Sequence, residues 1–375
     1  MRAFDNLRLA VKLPIILGTL VLIALAAMGY SGYSIARSAL LEAGEARLLT
    51  AVNSKLLEFE SWFEGVTADL RTTAASPLTL RAIRDFEKAW TDIGDGAPDY
   101  LRQTYIDDNP YPPGQRHKLI SAPVVSGYSI AHGRYHSGFV SIFNEKRYND
   151  LMLLNSDGDV IYSVSKEADL GQNVLTGALA QTKLAEAVRQ ALAARGREVF
   201  YSDFAAYGLS GHEISSFAAV PIRAADTTIV GVLVLQISTR QLDAVLGRHH
   251  GKEMPLTGYL AGADGRLRTN LGPTPQEEAL AKESTASVLP LAFAQDHAVG
   301  REAGIRGDLS LIMTGRIEAP GLVLALVMEL SETELLRPVE GLARSMQIGA
   351  LIATAALALI VFFVARTLAK PMAAI

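Results

Sequence analysis

Two long segments without a charged residue constrain this chain more than any other feature. They are residues 13–36 (LPIILGTLVLIALAAMGYSGYSIA) and 345–365 (SMQIGALIATAALALIVFFVA). A helix needs about 20 mostly apolar residues to cross a bilayer, and both segments are long enough. Small residues at Ala24 and Ala26 would also suit a signal-peptide cleavage site, and the second segment could be a buried core helix. The length of the first and the basic residues after the second favour two transmembrane helices.

Flanking cations indicate the orientation of these spans, because Lys and Arg next to a span stay on the cytoplasmic side. Three cations lie in residues 1–12, before the first span, and Arg366 and Lys370 follow the second. Both termini are therefore expected in the cytoplasm. Residues 37–344, between the spans, are expected on the outer side of the membrane.

Composition excludes several classes of function. The net charge is −4 and there is no strongly basic block, which argues against nucleic acid as a partner. The chain has no cysteine, so disulfides, thiolate catalysis and cysteine-based metal sites are excluded. No glycine loop for phosphate and no nucleophile elbow is present, since GYSIA at 127–131 lacks the second glycine. The sequence thus predicts no enzyme activity and no cofactor.

Residues 37–72 are predicted to form one long helix after the first span. Its apolar residues are separated by steps of 7, 4, 4, 3, 4, 3 and 4, close to a heptad pattern. The helix could pack on its own domain, or part of this seam could also join two copies in a homodimer. The dimer seam is favoured because a helix leaving a membrane span has little domain beside it. The seam residues are Leu41, Leu48, Val52, Leu56, Phe59, Phe63, Val66 and Leu70.

Strand patterns begin near residue 150 and occur twice. The runs at 150–155 and 159–164 flank an Asp-Gly turn, and those at 214–222 and 229–237 form a second hairpin. A shorter version follows at 257–270, 309–317 and 321–330. We therefore predict an α+β fold with two related antiparallel modules in tandem. The predicted divisions are a distal module at 73–247, a proximal module at 248–335 and a connecting helix at 336–344.

Four stretches make the chain similar to a known receptor family: YIDDNPYPPGQRHKL, AHGRYH, IYSVSKEADLGQNVLTG and SDFAAYGLSG. With the two spans, the long helix and the repeated modules, they resemble the double Cache sensor region of bacterial chemoreceptors, which has two PAS-like modules. The tail at 366–375 resembles the opening of a HAMP linker. The resemblance implies a two-pass inner-membrane protein with a periplasmic sensor, a homodimer and an unknown small-molecule ligand in the membrane-distal module. Cytoplasmic signalling partners, a kinase or an adaptor, would be reached through a part beyond residue 375.

Candidate ligand-binding residues lie in the distal module. His132 and His136 are one helical turn apart, a spacing that can chelate a metal, but no third ligand is evident. They could equally be a satisfied structural pair or a pocket wall, and we predict no metal site. Arg134 could meet an anion or pair with a nearby carboxylate. The full set of candidates is His132, Arg134, Tyr135, His136, Tyr162, Lys166, Asp203, Tyr207, Phe217 and Gln236.

Three of these candidates carry specific alternatives. Asp203 could accept a hydrogen bond from an amine or hydroxyl ligand, or cap its own loop. Lys166 and the loop KEADLG after it could contact a ligand, although a self-bonded turn holding the strand end is favoured. Gln236 stands where, by the resemblance, amino-acid-sensing relatives carry the aspartate that holds the ligand amine. The resemblance therefore does not support an α-amino-acid ligand.

The sequence leaves the signalling output open. The first hypothesis is a chemoreceptor whose ligand biases a two-state dimer. The second keeps the sensor but couples it to a histidine kinase or a nucleotide cyclase. A membrane-anchored periplasmic enzyme or scaffold is the third, and the absence of catalytic motifs speaks against the enzyme.

Overall fold

The computed structural model describes residues 9–210, 213–247, 256–271 and 278–369. Its α-helices are α1 (Leu9–Ala75), α2 (Pro77–Ile93), α3 (Ala97–Arg102), α4 (Gly127–Lys146), α5 (Lys183–Ala193), α6 (Thr239–Leu246) and α7 (Glu332–Ala369). Its strands are β1 (Asp150–Leu154), β2 (Val160–Ser163), β3 (Phe200–Tyr201), β4 (Ala205–Tyr207), β5 (Glu213–Arg223), β6 (Ile229–Ser238), β7 (Leu256–Ala261), β8 (His297–Ala303), β9 (Leu309–Ala319) and β10 (Leu322–Ser331).

Helix α1 joins the first predicted span and the predicted long helix without a break. Its 67 residues make it about 100 Å long at 1.5 Å per residue. Two stretches, Gly18–Ala75 and Glu332–Val361, contain windows long and apolar enough to cross a membrane, and neither window is buried by the protein. Both predicted spans fall within α1 and α7, so they are candidate membrane helices by length and composition.

The heptad seam of α1 packs against the sheets of its own chain. Gly315 of β9 leaves room for this contact, because a Cβ there would lie 2.8 Å from Val52 and from Leu56. The expectation that this helix has little domain beside it is therefore wrong, since α1 runs along both sheets. The apolar residues Leu49 and Leu57 face outwards instead. The buried seam residues are Leu48, Val52, Phe59, Phe63, Val66 and Leu70.

The first sheet has the strand order β2-β1-β6-β5-β3, with β4 also paired to β5, and all pairs are antiparallel. Helices α1 and α5 contribute most of its helical contacts. The buried polar residues Asp150, Ser163 and Gln236 lie at the end of the sheet where β1 begins and β2 and β6 end. That end positions the candidate site.

The second sheet repeats this arrangement with four strands in the order β7-β10-β9-β8. In both sheets the last strand lies between the first strand and the penultimate one. The structure differs from prediction after the Asp264-Gly265 turn, where isolated bridges replace a regular strand. The amide of Leu260 donates to the side-chain oxygen of Thr269 at 2.8 Å, so a side chain occupies part of the ladder there.

Two contacts connect the modules to each other and to the membrane helices. The amide of Tyr201 donates to the carbonyl of Pro320 at 2.8 Å, which joins β3 to the β9–β10 turn. Glu332, at the start of α7, accepts two hydrogen bonds from Arg301 of β8, at 2.6 and 2.7 Å, and one from Arg37 of α1, at 2.6 Å. This carboxylate therefore ties α1, the second sheet and α7 together.

Several predicted boundaries lie outside the described residues. The predicted division at 247/248 is next to residues 248–255, and most of the predicted HAMP opening falls in residues 370–375. Residues 1–8 of the predicted cytoplasmic N-terminus also lie outside them. The predicted connecting helix at 336–344 is part of α7, which continues through Pro338.

Candidate functional site

The candidate ligand residues lie on both faces of the first sheet. Residues directly opposite each other in an antiparallel pair share a face, and neighbours along a strand alternate. Asp150 pairs with Gln236 and Gln236 with Phe217, so these three share one face. Tyr162 pairs with Leu153 and lies on the other face, where His136 contacts it.

The residues therefore form two clusters. The histidine cluster consists of His132, His136, Tyr162 and Lys166. The acidic cluster consists of Asp150, Asp169, Tyr207, Ser215 and Gln236. Every residue of both clusters is buried.

Hydrogen bonds fix the protonation of both histidines. Nε2 of His136 lies 2.7 Å from the carbonyl of His117, so Nε2 carries the proton and Nδ1 accepts from the hydroxyl of Tyr162 at 2.7 Å. Nδ1 of His132 donates to the carbonyl of Ile120 at 3.0 Å. The remaining nitrogen of His132 has no partner in the described residues. Burial and the nearby Lys166 lower the pKa of His136 to about 3, so both rings are neutral.

Lys166 is buried with few partners for its ammonium group. Its Nζ lies 3.2 Å from Nε2 of His136, but that nitrogen already carries a proton and cannot accept. The hydrogen bond to the carbonyl of Val164 is long, at 3.3 Å. Burial lowers the pKa of Lys166 to about 7, and Asp150 opposes this shift. The backbone of Lys166 is also left-handed, with a φ of 56°, a conformation that is costly for residues other than glycine.

The turn after β2, which contains the KEADLG loop, is bonded to itself and to the end of the strand. The amide of Lys166 donates to the hydroxyl of Ser163 at 2.8 Å, and the amide of Leu170 donates to the carbonyl of Glu167 at 3.1 Å. The amide of Gly171 donates to the carbonyl of Val160 at 2.9 Å. These bonds hold Lys166 and Asp169 against the end of the sheet.

Asp150 is a fully buried carboxylate at the start of β1. It accepts hydrogen bonds from the amides of Leu151 and Ser165, at 2.7 and 2.9 Å, and from the hydroxyl of Ser163 at 2.6 Å. Burial and the neighbouring Asp169 raise the pKa of Asp150. Both of its oxygens are occupied, so its role is to hold the end of β2.

Asp169 is the second buried carboxylate, and it is less well satisfied. Its Oδ2 accepts a hydrogen bond from the hydroxyl of Tyr207 at 2.9 Å. Its Oδ1 has no hydrogen-bond partner in the described part of the chain. Burial raises the pKa of Asp169, and the hydrogen bond from Tyr207 opposes this effect. An unpaired buried carboxylate oxygen is costly, and it marks this face as suited to a ligand that donates hydrogen bonds.

The wall beside these carboxylates comes from β5 and β6. The amide nitrogen of Gln236 donates to the hydroxyl of Ser215 at 2.8 Å. Phe217 lies edge-on to Tyr207, with ring centroids 4.9 Å apart. This face therefore combines two carboxylates, an amide, a hydroxyl and two aromatic rings.

Besides Phe217, which lies beside the acidic cluster, three predicted site residues lie outside both clusters. Arg134 points to solvent and donates to Asp85 at 3.0 Å, and the hydroxyl of Tyr135 donates to the same carboxylate at 2.6 Å. Asp203 accepts two hydrogen bonds from Arg268, at 2.9 and 2.7 Å, across the junction of the two modules. Its Oδ1 also accepts a hydrogen bond from the backbone amide of Phe204 at 2.7 Å, so the carboxylate is occupied both by the guanidinium and by its own loop.

Sequence reasoning missed the two buried carboxylates. Asp150 was counted as the first residue of a strand, and Asp169 as part of a turn. The alternation of β1 gave a usable signal, because Asp150 falls on the same face as Met152 and Leu154, which are buried. A charged residue at an interior position of this kind needs a partner or a function.

The described residues contain no group of three or more His, Asp or Glu side chains able to hold a metal ion. The two histidine rings stack with centroids 4.2 Å apart, and His136 is hydrogen-bonded at both nitrogens whereas His132 is bonded only at Nδ1. The side chains of the two clusters carry the charged and hydrogen-bonding groups with which a ligand could be bound.

No family model matches the sequence, and no curated protein matches it. Solved structures do match its fold. The extracellular domain of a histidine kinase, vpHK1S-Z8, has a TM-score of 0.52 and 12% sequence identity, covering 80% of this chain and 96% of that domain. A domain of a sensory box/GGDEF family protein from Vibrio parahaemolyticus has a TM-score of 0.50 and 12% identity, covering 79% and 99%.

A third structure is less similar. It is the ligand-binding domain of the Pseudomonas aeruginosa PAO1 amino acid chemoreceptor PctB in complex with L-Arg, with a TM-score of 0.45 and 12% identity over 77% of this chain and 96% of that domain. The first two structures show that this chain has the fold of a sensor domain. The predicted mixed architecture, with a long N-terminal helix and two antiparallel sheets, is thereby confirmed.

Proposed function

We propose that this chain is the ligand-sensing and membrane-spanning region of a bacterial receptor, with a small-molecule site in the acidic cluster. The observation that carries the proposal is a buried, incompletely satisfied polar face in the first sheet, with Asp169 Oδ1 lacking a partner in the described residues. The two most similar structures described above support the same function, because one is the extracellular domain of a histidine kinase and the other is a domain of a sensory box/GGDEF family protein. Binding there would be reported rather than followed by catalysis.

The proposed location is the periplasm, between two inner-membrane helices with both chain ends in the cytoplasm. Because the chain has no cysteine, a single introduced cysteine is a unique label. Val125→Cys is suitable, because Val125 is 87% exposed. A membrane-impermeant maleimide should label it in spheroplasts, whereas Ala3→Cys should react only after lysis. Labelling of both variants, or of Ala3→Cys alone, in intact spheroplasts would contradict the topology.

A ligand screen tests the sensing function. The full chain in lipid nanodiscs is melted with organic acids, amines, purines and sugars. A ligand at 100 times its dissociation constant should stabilise the folded state by about 2.7 kcal/mol. Asp169→Asn should abolish this stabilisation. Asp85→Asn, the same change at the exposed carboxylate that Arg134 contacts, should leave it intact. Equal loss in both variants would refute the assignment of the site.

We further propose that output passes through α7 to cytoplasmic partners. Glu332 supports this route, because one carboxylate joins α1, β8 and the start of α7. A ligand effect of about 1–3 kcal/mol on a two-state equilibrium would suffice to change output. A chemoreceptor output is preferred. A histidine kinase or nucleotide cyclase is the alternative, and it is favoured by the two similar structures, which come from a histidine kinase and a GGDEF family protein. A homodimer would use the outward face of α1, which carries Leu49 and Leu57.

A further inference from the structure

The charges buried around the acidic cluster do not balance. Asp150 and Asp169 are both buried carboxylates, and Lys166 is the buried cation that interacts with Asp150. While Lys166 and Asp150 share a single proton, the two groups together carry no net charge. Asp169 is then left with a negative charge and no cationic partner among the groups that influence it.

The other titratable groups near Asp169 do not supply that charge. Glu167 is a carboxylate on the same turn, and it is paired with Arg116 at 3.5 Å. Tyr207, from β4, is neutral and donates its only proton to Oδ2. His136, on the histidine side, is neutral and bonded at both nitrogens. A buried net charge costs several kcal/mol, so a positive charge taken up from solution would stabilise the site.

We propose that the acidic cluster takes a small organic cation, an ammonium or guanidinium group, which binds Oδ1 of Asp169 and replaces a proton held there in the empty state. This inference rests on the proposed sensing function and names its ligand class. An N–H donor of such a group would satisfy the oxygen that has no partner among the described residues. The rings of Tyr207 and Phe217 and the side chain of Gln236 would line the rest of the site.

Proton replacement gives binding a defined pH dependence. Burial raises the pKa of Asp169 to about 6, so the carboxyl is protonated in the empty site below that pH. A cation must then displace the proton, and its apparent affinity should fall about tenfold for each pH unit below about 6. Above about pH 7 the affinity should level off. About one proton should be released per cation bound at low pH, and none at high pH.

The experiment uses the full chain in lipid nanodiscs, with ethylammonium, choline and putrescine as cations and propionate and propanol as matched anion and neutral probes. Melting shifts are measured from pH 5 to pH 8, and calorimetry in two buffers of different ionisation enthalpy counts released protons. At least one cation should shift the melting temperature, with the stated pH dependence. Asp169→Asn should remove the shift, and Asp85→Asn should retain it.

Tyr207→Phe tests the same inference if Asp169→Asn does not fold. Loss of the hydrogen bond to Oδ2 should raise the pKa of Asp169, so the pH dependence of cation binding should move to higher pH. The inference is overturned if the increase in melting temperature caused by a cation is independent of pH or persists in Asp169→Asn. It is also overturned if no cation changes the melting temperature. If propionate or propanol stabilises the chain in an Asp169-dependent way, only the ligand class is wrong and the sensing function stands.

Discussion

The ion pair between Arg268 and Asp203 should couple the stabilities of the two sheet modules. Two charge-assisted hydrogen bonds join the side chains, at 2.9 and 2.7 Å, and such bonds contribute about 1.5 kcal/mol each or more. The guanidinium is buried, but the Asp203 side chain is 34% exposed and can be hydrated when its partner is lost. Solvent screening therefore reduces the expected interaction from about 3 to about 2 kcal/mol.

A double-mutant cycle measures this interaction without the other bonds of Arg268. Arg268→Met, Asp203→Asn and the double variant are unfolded with urea in nanodiscs. Trp62 and Trp90, on α1 and α2, report the first module by fluorescence. The coupling energy should be about 2 kcal/mol. Asp264, which is half exposed and also contacts Arg268, is the matched control. Asp264→Asn should couple by about 0.5 kcal/mol or less. Coupling that weak for Asp203 as well would show that the pair does not join the modules.

Four further variants have defined outcomes. Burial raises the pKa of Asp169 above its unfolded value, so its protonated form stabilises the fold at low pH and this contribution is lost as pH rises from about 4 to 6. The unfolding free energy of the wild type should therefore fall relative to that of Asp169→Asn over that range. If urea titrations at several pH values show the same difference throughout, the raised pKa of Asp169 is contradicted. Gly231→Ala should destabilise by about 2–3 kcal/mol, because its Cβ would lie 2.3 Å from the carbonyl oxygen of Leu154. Gly65→Ala, in the open, should stabilise α1 by about 0.5–1 kcal/mol in the same melts. Glu332→Gln should lower the melting temperature by loosening the start of α7, and an unchanged value would mean that its arginine contacts are dispensable.

Elements with a strong periodic signal were predicted well from the sequence. The apolar spans, the seam of α1 and the paired hairpins follow from hydrophobic periodicity, which depends on local pattern. The packing of the seam residue Val52 on Gly315 could not be predicted, because it joins positions more than 260 residues apart. The irregular chain after Gly265 also depends on a side-chain contact, from the amide of Leu260 to Thr269.

The candidate site was only partly predictable for a similar reason. Lys166, Tyr207 and Gln236 were identified by their positions in loops and strand ends. Which face each residue occupies depends on the register between strands, and a sequence read one strand at a time does not contain that register. Asp203 was predicted either to contact a ligand or to cap its own loop, and its partner Arg268 was missed because it lies in the other module, 65 residues later.

The unbroken course of α1 has a mechanical consequence. A rod of about 100 Å with no joint acts as a lever, so a tilt of about 1° at the first sheet moves its far end by roughly 1.7 Å. Helix α7 begins only at the second sheet, and it is a shorter arm whose pivot is Glu332. Rearrangements of the first module thus act on the candidate membrane segments through one arm, and those of the second module act through both. The displacement of α1 relative to α7, rather than the motion of either helix alone, therefore distinguishes a rearrangement of the first module from one of the second.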